Sequence, residues 1–183
     1  MVAAITASSP VQLATLRPGA FAPIPPRAVT AAVTRAEVTS LGRVRVLAQT
    51  RDGGAAPLAR AASLIAVGAG VPPDQYGELD ELRALLGAEL VGTRKVTDRG
   101  WLPRSRQVGL TGHSLGPRLY IAVGVSGKFN HLIGARRAGT ILAINSDPSA
   151  PVFDGADIGN IGDWREAVLL LTVAIAAWTA PVS

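Results

Sequence analysis

A chain of 183 residues, 48% of them apolar, can bury one sizeable core, and its lack of cysteine excludes disulfides, thiolate zinc sites and iron–sulfur clusters. Two histidines, His113 and His131, are too few for an imidazole-rich metal centre. The net charge of +5 is carried almost wholly by arginine, and these cations are scattered along the chain without interleaved aromatics, which argues against nucleic acid as a partner.

The first eight residues lack the basic start and apolar core of a secretory signal. The longest apolar run, residues 168–178, is interrupted by Thr172 and is too short to span a hydrocarbon layer of roughly 30 Å. It reads as a buried helix. The expectation is a cytoplasmic protein without stable membrane insertion.

Residues 1–39 read as the remnant of a preceding domain plus a linker, and residues 40–183 as one domain. Residues 11–16 alternate as a strand does, but Arg17-Pro-Gly19 and the prolines at 23, 25 and 26 break the pattern. Strands are expected at residues 44–47, 63–67, 90–91, 119–125 and 140–145. Apolar residues at Leu79, Leu82, Leu85 and Leu86 mark one face of a helix over 78–86, stopped by Gly87. A second helix is expected over 163–177, with Asp163 as its N-cap. The dense apolar runs at 119–125 and 140–145 suit parallel strands covered on both faces. Alternating strands and helices predict a doubly wound parallel α/β sheet, Rossmann-like in architecture. In such sheets ligands lie beyond the carboxyl ends of the strands, where this sequence puts its glycines and polar residues: Gly68 and Gly70, Thr93 and Arg94, residues 126–131, and Asn145.

Several groups there have both a structural and a functional reading. Gly124-Val-Ser-Gly127, running into a helix start, serves either as an ordinary tight turn or as an anion cradle. His131 lies within that helix, either as a structural residue or as a donor to a ligand carbonyl. Gln107-Val-Gly-Leu-Thr-Gly112 is a loop whose glycines permit close approach and whose Thr111 can donate to a ring nitrogen. Arg94 is either a solvated cation or a fixed charge set against an electron-rich ring. Asn145 could read a sugar hydroxyl. No nucleophile–base pair, metal cluster or paired carboxylate stands out, so the polar set is one that binds a cofactor rather than one that performs the chemistry.

The runs Pro103-Arg-Ser-Arg-Gln-Val-Gly-Leu-Thr-Gly112, Pro117-Arg-Leu-Tyr-Ile-Ala-Val-Gly-Val-Ser-Gly127, His131-Leu-Ile-Gly134 and Ile144-Asn-Ser-Asp-Pro148 resemble the electron transfer flavoprotein alpha subunit. Ala150-Pro-Val-Phe153, Ala156-Asp-Ile-Gly159 and Gly162-Asp163 continue the likeness in the same order, and residues 13–21 resemble the strand that ends the family's N-terminal domain. The resemblance implies an FAD-binding electron carrier, completed as a heterodimer by a beta subunit. It implies a flavin dehydrogenase as electron donor and a membrane-linked or other acceptor.

By position, Thr93 and Arg94 would stand near the flavin, the arginine stabilising its anionic reduced form. Val108, Gly109, Leu110 and Thr111 would lie along the ring, with Thr111 donating towards N5. Ser126, Gly127, Lys128, Phe129, Asn130 and His131 would hold the pyrophosphate and ribityl side, His131 reaching the O2 edge. Asn145 and Asp163, with Trp164 beside it, would face the adenosine half. Gly70 replaces an arginine usual in the family, Leu110 replaces a glutamine, and Lys128-Phe129 replace small residues. Most of the family's N-terminal domain has no counterpart in the sequence. Two other readings remain: a nicotinamide-binding oxidoreductase domain, and a flavin-free interaction domain.

Overall fold

In the computed structural model, residues 55–179 are described continuously, and before them only positions 8, 10, 11, 15, 25, 32–35, 47 and 48. The strands expected at 11–16 and 44–47, and the boundary at 39–40, lie outside the described residues apart from such single positions.

Apolar runs bounded by glycine and proline become strands β1 (Ser63–Val67), β2 (Glu89–Gly92), β3 (Leu119–Val123) and β4 (Thr140–Asn145), joined by a fifth, β5 (Ile158–Ile161). All neighbours pair in parallel, in the order β2-β1-β3-β4-β5. Parallel strands need crossover connections, and helices supply most of them here. The β1–β2 crossover is a 3-10 segment, Pro73–Leu79, running into α2 (Asp80–Leu86). Gly87 ends α2 in the left-handed region at φ 55°. Helix α3 (Arg94–Asp98) follows β2, α4 (Phe129–Ala135) links β3 to β4, and α5 (Trp164–Thr179) follows β5. A short helix, α1 (Ala55–Arg60), precedes β1.

Successive strand residues point to opposite faces, and both faces are buried. Leu64 and Ala66 of β1, Tyr120 and Ala122 of β3 and Ala143 of β4 join Leu58 of α1 and Ala135 of α4 in one core layer. Ile65, Val67, Ile121, Val123 and Ile144 face the other layer, with Leu82 of α2, Val96 of α3, and Trp164 and Val168 of α5. The sheet is thus doubly wound, as the alternation of elements predicts.

Two features depart from the sequence reading. Strand β5 was not expected, because all four of its residues are exposed and leave no burial pattern. It forms the sheet edge beside β4, where the Asp157 carboxylate accepts a hydrogen bond from the Ile141 N–H at 2.8 Å. Helix α5 was read as buried, yet only Trp164, Val168 and Thr172 are buried along it. Those three recur every fourth residue, a single narrow stripe. Leu169, Leu170 and Val173 are each about 60% exposed, and Ile175 is part-buried. Thr172 is accommodated in the stripe because its hydroxyl donates to the Val168 carbonyl at 2.7 Å. Among the described residues no helix is long and apolar enough to cross a membrane.

The strand order reverses direction between β1 and β3. At such a switch point the loops leaving the two strands diverge to opposite faces, which opens a crevice at the carboxyl edge.

Candidate functional site

The floor of that crevice is backbone. The Gly68 N–H donates to the Val123 carbonyl at 2.9 Å, and the Gly70 N–H to the Gly124 carbonyl at 3.2 Å. A Cβ at Gly68 would stand 1.9 Å from the Gly124 oxygen, so only glycine lets the two strand-end turns join this closely.

One wall is the 107–113 loop, laid flush on α4. Gly109 has φ 138°, and a Cβ there would meet the Asn130 carbonyl at 2.6 Å. The Leu110 N–H donates to that carbonyl at 2.6 Å, and the Val108 N–H to the Gly92 carbonyl at 3.0 Å. Buried Gln107 ties the loop to α3: it accepts from the Thr97 hydroxyl at 2.8 Å and donates to Thr111 Oγ1 at 2.9 Å. Because Gln107 occupies the acceptor side of the Thr111 hydroxyl, its hydrogen remains available to a ligand.

Helix α3, this loop and α4 enclose a cavity of about 180 Å³. Its lining is Thr93, Arg94, Lys95, Gln107, Val108, Gly109, Leu110, Thr111, Ser126, Lys128, Asn130 and His131. A second cavity, of about 250 Å³, lies over the β1 and β3 turns and is lined by Gly68, Ala69, Gly70, Gly124, Asn145, Asp147, Ala150 and Pro151. Thr93, Lys95 and Ser126 line both, so the two adjoin.

The charges are unevenly committed. Arg94, 62% exposed, donates through Nε to Asp98 at 3.1 Å, and Arg104 stands 3.5 Å from the other oxygen of that carboxylate. Lys95 and Lys128 are in no ion pair among the described residues. His131 is buried, with Nδ1 donating to the Val108 carbonyl at 3.1 Å and Nε2 accepting from the Tyr120 hydroxyl at 2.9 Å. Burial holds the imidazole down to a pKa of about 4, against the pull of the Val108 carbonyl, and pushes the Tyr120 phenol up. His131 is therefore neutral near pH 7 with both ring nitrogens engaged inside the protein. The expected donation to a flavin O2 would require one of those bonds to break. In this arrangement the ring instead fixes the loop through Val108.

Of the residues singled out from sequence, Thr93, Arg94, Val108, Gly109, Leu110, Thr111, Ser126, Lys128, Asn130 and His131 come together around the first cavity, and Asn145 lines the second. The Asn145 amide already bridges two strand ends, donating to the Val125 carbonyl at 2.9 Å and accepting from the Asp147 N–H at 2.9 Å. Four others stand apart. Gly127 (φ 74°) packs on Val152, whose backbone a Cβ would meet at 2.1 Å. Phe129 is 68% exposed and faces a groove formed with Leu132, Ile133 and Arg136. Asp163 accepts from the Arg165 N–H at 2.7 Å as the cap of α5, and Trp164 is buried in the core. Lys95 and Gln107 were not singled out. Nothing in sequence separates a lysine at the start of a helix from a solvated one, or a buried glutamine from a loop residue.

Residues 57–136 match the family model of the electron transfer flavoprotein FAD-binding domain. Protein FixB of Bradyrhizobium diazoefficiens is 38% identical over 181 residues, 94% of this chain and 48% of that protein. The electron transfer flavoprotein subunit alpha of Thermoanaerobacterium thermosaccharolyticum is 42% identical over 99 residues, 54% of this chain and 30% of that protein. The chain thus spans about half, or less, of the length of these relatives. Among solved structures, the sugar isomerase domain of an RpiR transcription factor from Sphaerobacter thermophilus overlaps 68% of this chain and 75% of its own. Its sequence identity is 18% and its TM-score 0.41, a likeness too slight to carry an argument.

Proposed function

We propose that this chain, which belongs to the electron transfer flavoprotein alpha-subunit family, holds FAD across the two joined cavities and carries electrons between protein partners. The observation that carries this reading is the pair of adjoining cavities at the switch point. Each alone is smaller than the roughly 300–1,000 Å³ of a small-molecule site, and only together do they reach that range.

The donor set fits an elongated cofactor with one flat apolar end and one anionic stretch. Residues 108–110 offer an apolar edge and Thr111 a free O–H for a ring nitrogen. Thr93, Lys95 and Ser126 stand where the two cavities meet, Lys128 and Asn130 in the first cavity, and Asn145 in the second. When bound, the flavin supplies the redox chemistry. The protein positions it and sets its electrostatics, with His131 holding residue 108 in place. We assign no ligand contact to Gly127, Phe129, Asp163 or Trp164. The reading extends to a beta subunit that completes the heterodimer, a flavin dehydrogenase as donor, and a separate acceptor. A nicotinamide site of this architecture would want an acidic residue after the second strand, and β2 is followed by Thr93-Arg94-Lys95.

Stepwise reductive titration of the FAD-loaded chain tests this reading, and Arg94 is its sharpest probe. A fixed cation beside the ring favours the added negative charge without having to titrate. Asp98 offsets part of that charge, so two variants should move the potential in opposite directions. Arg94→Ala should lower the first reduction potential by some tens of millivolts, on the scale of the ~59 mV that a tenfold change in a one-electron equilibrium represents. Asp98→Asn should raise it. Unchanged potentials in both would make Arg94 a surface charge and misplace the ring.

A further inference from the structure

The chain contains 18 lysines and arginines, of which only Lys95 and Lys128 are lysines, and both line the same cavity. Neither forms an ion pair among the described residues, whereas Arg94 beside them is committed to Asp98. Lysine is a compact, mobile point charge suited to a phosphate oxygen, and an unpaired one on a cavity wall keeps its full charge for a ligand.

Lys95 is distinguished from Lys128 by position. It lines the second cavity as well, and among the described residues it is the only cation that does so. Among the described residues, the rest of that cavity's rim offers no other positive charge to an anion. Gly68 and Gly70 have no side chains, and a Cβ at Gly70 would already stand 3.2 Å from the Gly124 oxygen. The one carboxylate there, Asp147, is held by the hydroxyl and N–H of Ser149. A molecule running from one cavity to the other must pass the junction of Thr93, Lys95 and Ser126.

We infer that Lys95 is the residue that binds the anionic link, the pyrophosphate, of the cofactor where it crosses between the two cavities. This rests on the FAD reading. It goes further by making one exposed lysine the determinant that favours a dinucleotide over a flavin without phosphate.

The test titrates the full 183-residue chain, freed of flavin, with FAD and with riboflavin, following flavin fluorescence. Lys95→Met should weaken FAD about tenfold, the scale of one charge-assisted hydrogen bond, and leave riboflavin unchanged. The salt dependence of FAD binding should flatten in the same variant, and Lys95→Arg should restore most of the affinity. Equal FAD affinity in wild type and Lys95→Met, or an equal loss for both flavins, would overturn the role of Lys95 while leaving the FAD site standing. A wild-type chain that binds neither flavin would reject the FAD reading and this inference with it.

Discussion

Replacing Trp164 with alanine should lower the stability of the domain by roughly 3–5 kcal/mol, while Leu169→Ala, five residues along the same helix, should change it by no more than about 0.5 kcal/mol. Trp164 is buried against the sheet among Leu82, Ile144 and Val168, so its removal leaves a cavity that the rigid strands cannot close. Leu169 is 61% exposed and loses little contact on truncation. Denaturant midpoints for the two variants measure the contrast. The same pair decides what Trp164 is for. If Trp164→Ala kept the wild-type midpoint and lost flavin affinity instead, the indole would be a cofactor contact and its place in the core would be wrong.

Acid should destabilise the fold between about pH 6.5 and pH 4 through His131. His131 has a folded pKa of about 4, against an ordinary value near 6.5. Between those limits the unfolded chain binds a proton that the folded chain refuses, so stability is complete above pH 6.5, falls as the pH drops, and levels off near pH 4. At about 1.4 kcal/mol per unit the loss is on the order of 3 kcal/mol. His131→Gln should remove the His131 share of the slope in this window, whatever it does to stability at pH 7. A slope unchanged in the variant would mean that another group carries it. The bond to Tyr120 should be lost in the same transition, because a protonated Nε2 can no longer accept from the phenol, while Nδ1 goes on donating to the Val108 carbonyl.

What was legible in the sequence follows from what burial writes into it. Strands β1 and β4 begin and end where the apolar runs do, because both faces of a central parallel strand must be apolar. Edge strand β5 carries no such constraint and went unread. Helix α5 shows the converse: its composition is apolar nearly all round, yet the sheet takes up only one stripe, and composition cannot say which stripe. In the site, Gly68 at a strand end and Gly109 in the 107–112 loop stood out in the sequence as places of close approach. The close approach in the structure is protein on protein, Gly134 to Gly109 and Gly68 to Gly124, and it builds the walls of the cavities. His131 was visible as a candidate, but its Tyr120 and Val108 bonds reach 11 and 23 residues away, so its neutral, fully engaged state depends on tertiary structure. For Lys95 the deciding fact is that two cavities meet beside it, which no local pattern encodes.

The central claim is tested most directly by isolating the chain, releasing whatever it carries by heat and identifying it by chromatography. The account predicts FAD in a one-to-one ratio with protein, and an absorption spectrum of bound flavin before release. Recovery of FMN alone would contradict a ligand that spans both cavities. A flavin-free chain that also fails to take up added FAD would contradict the site itself.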